Sequence, residues 1–106
     1  MDADAAAEWK RVFPSMVERR VLTVTDLGAL ENYCMAMSLV RQMERQLRAE
    51  GATYVDGKGA IKRHPATAIF ADNMNRARLL ATELGLTPFS RSRPAAIEDE
   101  DEDSLI

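Results

Sequence analysis

The longest amphipathic pattern in the chain lies in its middle third. Its apolar residues form two neighbouring stripes: Ala29, Tyr33, Ala36, Val40, Met43 and Leu47, with Leu30, Cys34 and Met37 beside them. Alternating spacings of four and three residues are the period of an α-helix. Thr25 is a suitable N-cap and Gly51 a suitable terminator. The pattern therefore predicts one long helix from about Thr25 to Glu50.

This helix is apolar around most of its circumference, because the stretch YCMAMSLV at 33–40 leaves only Ser38 polar. Such a helix must be covered on most sides, and a short chain has few elements to cover it. Self-association is the simplest source of cover, although two further helices of the same chain could also supply it. The predicted oligomer interface consists of Tyr33, Met37, Val40, Met43 and Leu47.

A first helix is predicted before this long helix. Asp4 is its expected cap, and Trp9 and Phe13 lie on its apolar stripe, where we expect them to pack against the long helix. Pro14 then interrupts the pattern, because proline lacks the amide hydrogen and clashes with the preceding turn. Residues 15–20 are therefore either a continuation of this helix with a kink or a separate short helix.

The second half of the chain predicts a hairpin and a third helix. Strands at 53–55 and 60–62 flank the sequence DGKG, whose Asp-Gly pair supplies the positive φ of a tight turn. Pro65 suits the first position of a helix that Gly85 and Pro88 end. Six apolar residues make this helix amphipathic: Ile69, Phe70, Met74, Ala77, Leu80 and Leu84. The fold class is mainly α, with three to four helices, a long central helix and a small β-hairpin.

Charge divides the chain into two parts. The 106 residues are 46% hydrophobic and 29% charged, which fits one small domain. Residues 1–93 carry all 14 basic and 11 of the 17 acidic side chains, a net charge of +3, whereas 98–103 read EDEDED. We predict a helical domain over 1–93 and a disordered acidic tail over 94–106.

Residue types exclude several kinds of protein. Cys34 is the only cysteine and His64 the only histidine, so one chain cannot assemble a disulfide framework or a Cys/His zinc site. Cys34 is expected to be buried, and His64, before Pro65, to cap a helix or pack in a loop. No catalytic motif, phosphate-binding loop, membrane span or secretory signal is present. We expect a cytosolic protein that is not an enzyme and has no cofactor or metal.

Basic side chains occur in clusters that could contact the phosphates of double-stranded DNA, and the N-terminal clusters are the favoured candidates. The predicted DNA-binding residues are Lys10, Arg11, Arg19, Arg20, Lys58, Lys62 and Arg63. A second stripe on the long helix, Arg41, Arg45 and Arg48, is better interpreted as a solvated face on which Glu44 pairs with Arg48. Since affinity for DNA rises with the number of phosphates neutralised, a +3 domain would bind through several copies.

Three motifs in order resemble the small subunit of phage terminase. They are LTVTDLGALENYC at 22–34, YVDGKGAIKRHPA at 54–66 and LGLTPFSRSR at 84–93, and the last is typical of a short helical branch of that family. The resemblance implies a non-enzymatic ring of about eight to twelve copies that binds viral DNA and recruits the large terminase subunit. It implies action in genome packaging, in the cytoplasm of a bacterial host, for a phage, a prophage or a gene transfer agent.

The acidic tail is a second candidate contact. By analogy with the family, we predict that it binds the large subunit through Glu98, Asp99, Glu100, Leu105 and Ile106. Two alternatives are that the tail covers the basic body and competes with DNA, or that it only solubilises the chain. For the whole protein, the alternatives are a small DNA-binding transcriptional regulator and a protein–protein adaptor.

Overall fold

The computed structural model describes residues 1–19 and 23–87, and in these residues the chain forms three helices and one hairpin. The elements in chain order are α1 (Ala3–Glu18), α2 (Val24–Glu50), β1 (Thr53–Val55), β2 (Ile61–Arg63) and α3 (Ala66–Glu83). α2 packs against both α1 and α3, and β1 pairs with β2 as an antiparallel ladder. The mainly helical class, the long central helix and the hairpin are confirmed.

α1 is a single helix that continues through Pro14. Proline removes one backbone hydrogen bond, but Met16, two residues beyond it, is completely buried, and this packing stabilises the last turn of the helix. The predicted cap was wrong: Asp2, not Asp4, accepts the hydrogen bond from the amide of Ala5, at 2.9 Å. Asp4 instead lies in the first turn, where a carboxylate favours the helix dipole.

The N-cap of α2 is Thr23, two residues before the predicted cap, Thr25. Thr23 accepts a hydrogen bond from the Asp26 amide at 3.2 Å, and the Asp26 carboxylate accepts one from the Thr23 amide at 3.0 Å. This reciprocal capping box explains why Thr25 is not the cap, because the third position after Thr25 is Gly28, which has no side chain to return the bond. Gly51 ends α2 with a φ of 87°, the positive value expected there.

The hairpin turns differently from the prediction. The second strand begins at Ile61, one residue late, and the positive φ of 83° belongs to Gly59 rather than Gly57. The carboxylate of Asp56 explains this, since its Oδ1 accepts hydrogen bonds from the amides of Lys58 (2.8 Å) and Ala60 (2.9 Å). A five-residue turn, 56–60, organised by one aspartate replaces the expected four-residue turn, 56–59.

α3 begins at Ala66, and Pro65 occupies its N-cap position without a capping side chain. His64 caps the helix instead: its Nδ1 accepts a hydrogen bond from the Ala66 amide at 3.0 Å. Helix capping is one of the two roles predicted for His64. Gly85 follows the helix with a φ of 71°, and Pro88 lies outside the described residues. Part of the predicted apolar face was wrong, since Ile69 and Met74 are exposed.

The hydrophobic core lies between α2 and its two neighbours. It consists of ten buried residues: Ala5, Val12, Met16, Leu30, Tyr33, Cys34, Ala36, Ala77, Ala81 and Leu84. Trp9 and Phe13 pack on its edge with their rings stacked at 5.2 Å, which confirms their predicted role. Cys34 is fully buried, and burial raises the pKa of its thiol to about 11, so it behaves as a small apolar residue.

Candidate nucleic-acid interface

A buried carboxylate dominates the contact between α1 and α2. Glu8 is only 1% exposed, and its oxygens accept hydrogen bonds from the hydroxyl of Tyr33 and the guanidinium of Arg41, each at 2.7 Å. Arg11, one turn along α1, forms an ion pair with the same carboxylate. The sequence did not identify Glu8 as a functional or structural residue. Acidic residues on helices are usually exposed, and nothing in the local pattern indicates that Glu8 is buried.

Titration of this cluster follows from its geometry. Burial acts to raise the pKa of Glu8, but the hydrogen bonds from Arg11 and Tyr33 outweigh burial and hold that pKa below its usual 4.5. Burial and the neighbouring Glu8 carboxylate raise the pKa of Tyr33 to about 12. At neutral pH, Glu8 is therefore ionised and Tyr33 neutral, which gives a stable charge-assisted bridge between the helices.

The predicted N-terminal DNA-binding residues have different surroundings. The guanidinium of Arg11 is bound to Glu8, and that of Arg19 donates to the carbonyl oxygens of Gly85 (2.8 Å) and Ser15 (3.4 Å). Lys10 is exposed, and it forms no ion pair within 1–19 or 23–87. Arg20 lies outside the described residues. Arg11 and Arg19 thus already serve contacts that hold the domain together.

The arginine stripe of α2 is neutralised within the chain. Arg41 pairs with Glu8 at 2.7 Å, Arg45 with Asp4 at 2.6 Å and Arg48 with Glu44 at 2.8 Å. The predicted pairing of Glu44 with Arg48 is confirmed. The two pairs to α1 were not predicted, because they depend on how α1 crosses α2. This stripe is a solvated face on which each cation has an acidic partner.

The hairpin brings three of the predicted basic residues together on one small element. Lys58, Lys62 and Arg63 are all exposed. Lys62 lies 3.9 Å from the carboxylate of Asp56, whereas neither Lys58 nor Arg63 has a side-chain ion pair with any residue that the structure describes. Tyr54, 48% exposed, stands opposite Lys62 across the two strands. A two-stranded ribbon carrying free cations is a shape that the major groove of DNA admits.

Most of the predicted oligomer interface faces the chain's own core. Tyr33 and Val40 are both only 6% exposed, Met37 packs against the core, and Met43 and Leu47 are half-buried. The exposed apolar residues of α2 and α3 are others: Val24, Leu27, Met35, Leu39, Ile69, Met74 and Leu79. The tail residues Glu98, Asp99, Glu100, Leu105 and Ile106 lie outside the described residues.

His64 has a partner that its sequence neighbourhood does not reveal. Its Nε2 lies 2.6 Å from the carboxylate of Glu50, at the end of α2, which lowers the pKa of Glu50. Together with the Nδ1 cap on Ala66, this contact fixes the ring between α2 and α3 and holds the base of the hairpin. His64 thus positions the hairpin relative to both helices.

Within residues 1–19 and 23–87, no group of three or more His, Cys, Asp or Glu side chains could hold a metal ion. No helix among them combines the length and the apolar character that crossing a membrane requires.

Comparison with known proteins identifies the family. The family model described as phage terminase, small subunit, matches residues 5–101, which is nearly the entire chain. Neither the curated proteins nor the solved structures contain a significant match. The matched range begins within α1 and covers α2, the hairpin and α3. This chain belongs to the phage terminase small-subunit family.

Proposed function

We propose that this protein is the non-catalytic, DNA-binding subunit of a viral packaging machine, acting in the cytoplasm of a bacterial host. The observation that carries the proposal is the family match over residues 5–101. In this role the protein binds the DNA of a phage, a prophage or a gene transfer agent. It then recruits and regulates the large terminase subunit, which supplies the ATPase and nuclease activities.

The contact with DNA is best assigned to the hairpin. Lys58 and Arg63 are exposed cations without an intrachain anion among the described residues, so DNA phosphates would not have to displace a partner. By contrast, the guanidinium of Arg11 would have to leave the buried Glu8. The hairpin therefore takes precedence over Arg11 and Arg19, whose partners the sequence does not reveal.

Several copies are needed for useful affinity. One hairpin brings three cations, too few to neutralise many phosphates, whereas about eight to twelve copies in a ring would repeat the same contact along a duplex. Apolar residues left exposed on α2 and α3 supply surface for such association. The acidic tail, residues 94–106, is proposed to bind the large subunit.

DNA binding is tested by neutralising paired cations and measuring fluorescence anisotropy of a labelled duplex over a range of salt concentrations. Lys58→Gln with Arg63→Gln should weaken binding. It should also reduce the slope of log affinity against log salt by about two for each copy that touches DNA. The matched control is Arg48→Gln with Arg78→Gln, which removes the same charge from cations already bound to Glu44 and Asn75. Equal effects of both pairs would refute the hairpin assignment.

The assembly and the large-subunit contact have separate tests. Native mass spectrometry of the full chain should show about eight to twelve copies, and a stable monomer would contradict the ring. Deleting 95–106 should abolish co-purification with the cognate large subunit. Tighter DNA binding after the deletion would instead show that the tail covers the basic body. No change in either measurement would mean that the tail has neither role.

A further inference from the structure

The hairpin carries a pair of apolar side chains that lie outside the core. Val55 and Ile61 are cross-strand partners, so their side chains lie side by side on one face of the ribbon. They are 66% and 76% exposed, and neither belongs to the hydrophobic core. The turn is organised by the Asp56 carboxylate, and His64 holds the base of the hairpin. The apolar pair is therefore open to a ligand.

The charges around this pair indicate that the ligand is a nucleic acid rather than a protein. Residues 53–63 hold three cations and one acid, Asp56, whose carboxylate already accepts hydrogen bonds from two amides of the turn. Arg63 lies on the same face as Ile61, two residues along the strand, and Lys58 lies in the turn. Within residues 1–19 and 23–87, neither cation pairs with an acidic side chain. DNA offers the complementary surface, because its base edges lie between two rows of phosphates.

The dimensions of the ribbon fit the major groove. Its strands lie about 4.8 Å apart, and the groove is about 12 Å wide and admits a two-stranded ribbon. The turn adds little bulk, because Gly57 and Gly59 flank Lys58 and have open space around them. Arg63 is about 7 Å along the strand from Ile61, which is close to half the width of the groove. When the apolar pair lies over the base edges, Arg63 therefore reaches a phosphate at the side.

We propose that Val55 and Ile61 contact thymine methyl groups in the major groove and give the hairpin a preference for A·T base pairs. The inference rests on the proposed DNA contact of the hairpin and names the residues that distinguish base pairs. Lys58 and Arg63 bind phosphates, which carry no sequence information. The apolar group that a base pair presents in the major groove is the C5-methyl of thymine. Covering one such methyl group with an apolar side chain raises affinity about fourfold.

Removing the methyl groups from the DNA tests the proposal without altering the protein. The full chain is titrated into a labelled A·T-rich duplex and into the same duplex with uracil in place of every thymine, and fluorescence anisotropy gives both affinities. Wild type should bind the thymine duplex about fourfold more tightly for each methyl group that is covered. Equal affinities would overturn the proposal. They would leave the proposed phosphate contact standing if Lys58→Gln with Arg63→Gln still weakens binding to both duplexes.

A neutral double variant assigns the preference to the apolar pair. Val55→Ser with Ile61→Ser removes the branched apolar atoms without a change of charge and keeps the contacts of Asp56 and His64. It should bind both duplexes equally. The matched control is Tyr54→Ser, which removes a larger side chain from the opposite face of the ribbon and should keep the preference for thymine. Circular dichroism and native mass spectrometry check the helices and the number of copies.

Three results would overturn the assignment. The first is a preference for thymine that persists in the double variant, and the second is an equal loss of that preference in the control. The third is a double variant that forms a different number of copies, or no longer co-purifies with the large subunit, while wild type binds the two duplexes equally. That result would assign the apolar pair to a protein partner.

Discussion

Replacing Glu8 by glutamine tests whether the buried carboxylate joins α1 to α2. The substitution keeps the size of the side chain but removes the charge that receives Arg11, Arg41 and the Tyr33 hydroxyl. Removing one member of a buried ion pair costs about 3–5 kcal/mol when the remaining charge stays enclosed. Here the side chains of Arg11 and Arg41 are 62% and 41% exposed, so water can solvate them after the substitution.

The expected loss is therefore about 2 kcal/mol, within the range for a hydrogen bond to a charged group. In a domain of this size, that loss lowers Tm by roughly 10 °C. Thermal and urea unfolding at pH 7 measure it, with Glu44→Gln as the control, because Glu44 receives only the exposed Arg48 and its loss should cost about 0.3–0.5 kcal/mol. Equal losses for the two variants would show that Glu8 contributes no more than a surface acid.

The pH dependence gives a second check on Glu8. Its pKa in the folded state lies below its usual 4.5, so the unfolded chain takes up the proton first as the pH falls. The stabilisation by Glu8 is therefore complete above about pH 4.5 and is lost as the pH falls through the lower folded pKa. The difference in unfolding free energy between wild type and Glu8→Gln should shrink over that range, and a difference independent of pH would refute the assigned ion pairs.

Three further substitutions or reactions test local features of the fold. Thr23→Ala should cost about 0.5–2 kcal/mol in urea unfolding because it removes the cap of α2, whereas Thr25→Ala should cost much less; the reverse order would restore the cap predicted from the sequence. Gly59→Ala should destabilise the hairpin by about 1 kcal/mol because φ is 83° there, while Gly57→Ala, which has open space and no positive φ, should be tolerated. Cys34 should react with iodoacetamide at pH 8 only as fast as the chain unfolds, since its thiol is fully buried and its pKa is raised to about 11; rapid labelling of the native protein would contradict this.

The order and type of the helices and strands could be predicted from local sequence patterns. The period of apolar residues predicted α2 and its end at Glu50, because a helix of that length repeats its signal over many turns. Boundaries that depend on one or two side chains were predicted less accurately, because their signal does not repeat along the chain. Thr23 and Thr25 are equally good caps by type, and only the return bond from Asp26 separates them. The turn was misassigned because Asp56, rather than the Asp-Gly pair alone, organises its amides.

The candidate sites depended more on tertiary contacts than the elements did. The sequence identified Arg11 and Arg19 as cations that could contact phosphate, but it did not show that Arg11 is bound to a buried Glu8 or that Arg19 donates to the Gly85 carbonyl. A sequence shows which groups could bind phosphate, and only the structure shows which of them already have a partner. For this reason the proposed DNA contact uses Lys58 and Arg63 of the hairpin rather than Arg11 and Arg19.

The sequence by itself determined the mainly helical class, the long central helix, the net positive charge of residues 1–93 and the family. Each of these follows from the spacing of apolar residues, the composition or the order of motifs along the chain. The tertiary structure alone decided which apolar stripe of α2 is buried and which surface remains uncovered. Tyr33 and Val40 turned inward and Met35 and Leu39 outward, since the directions from which α1 and α3 approach set the buried side of a helix that is apolar nearly all round.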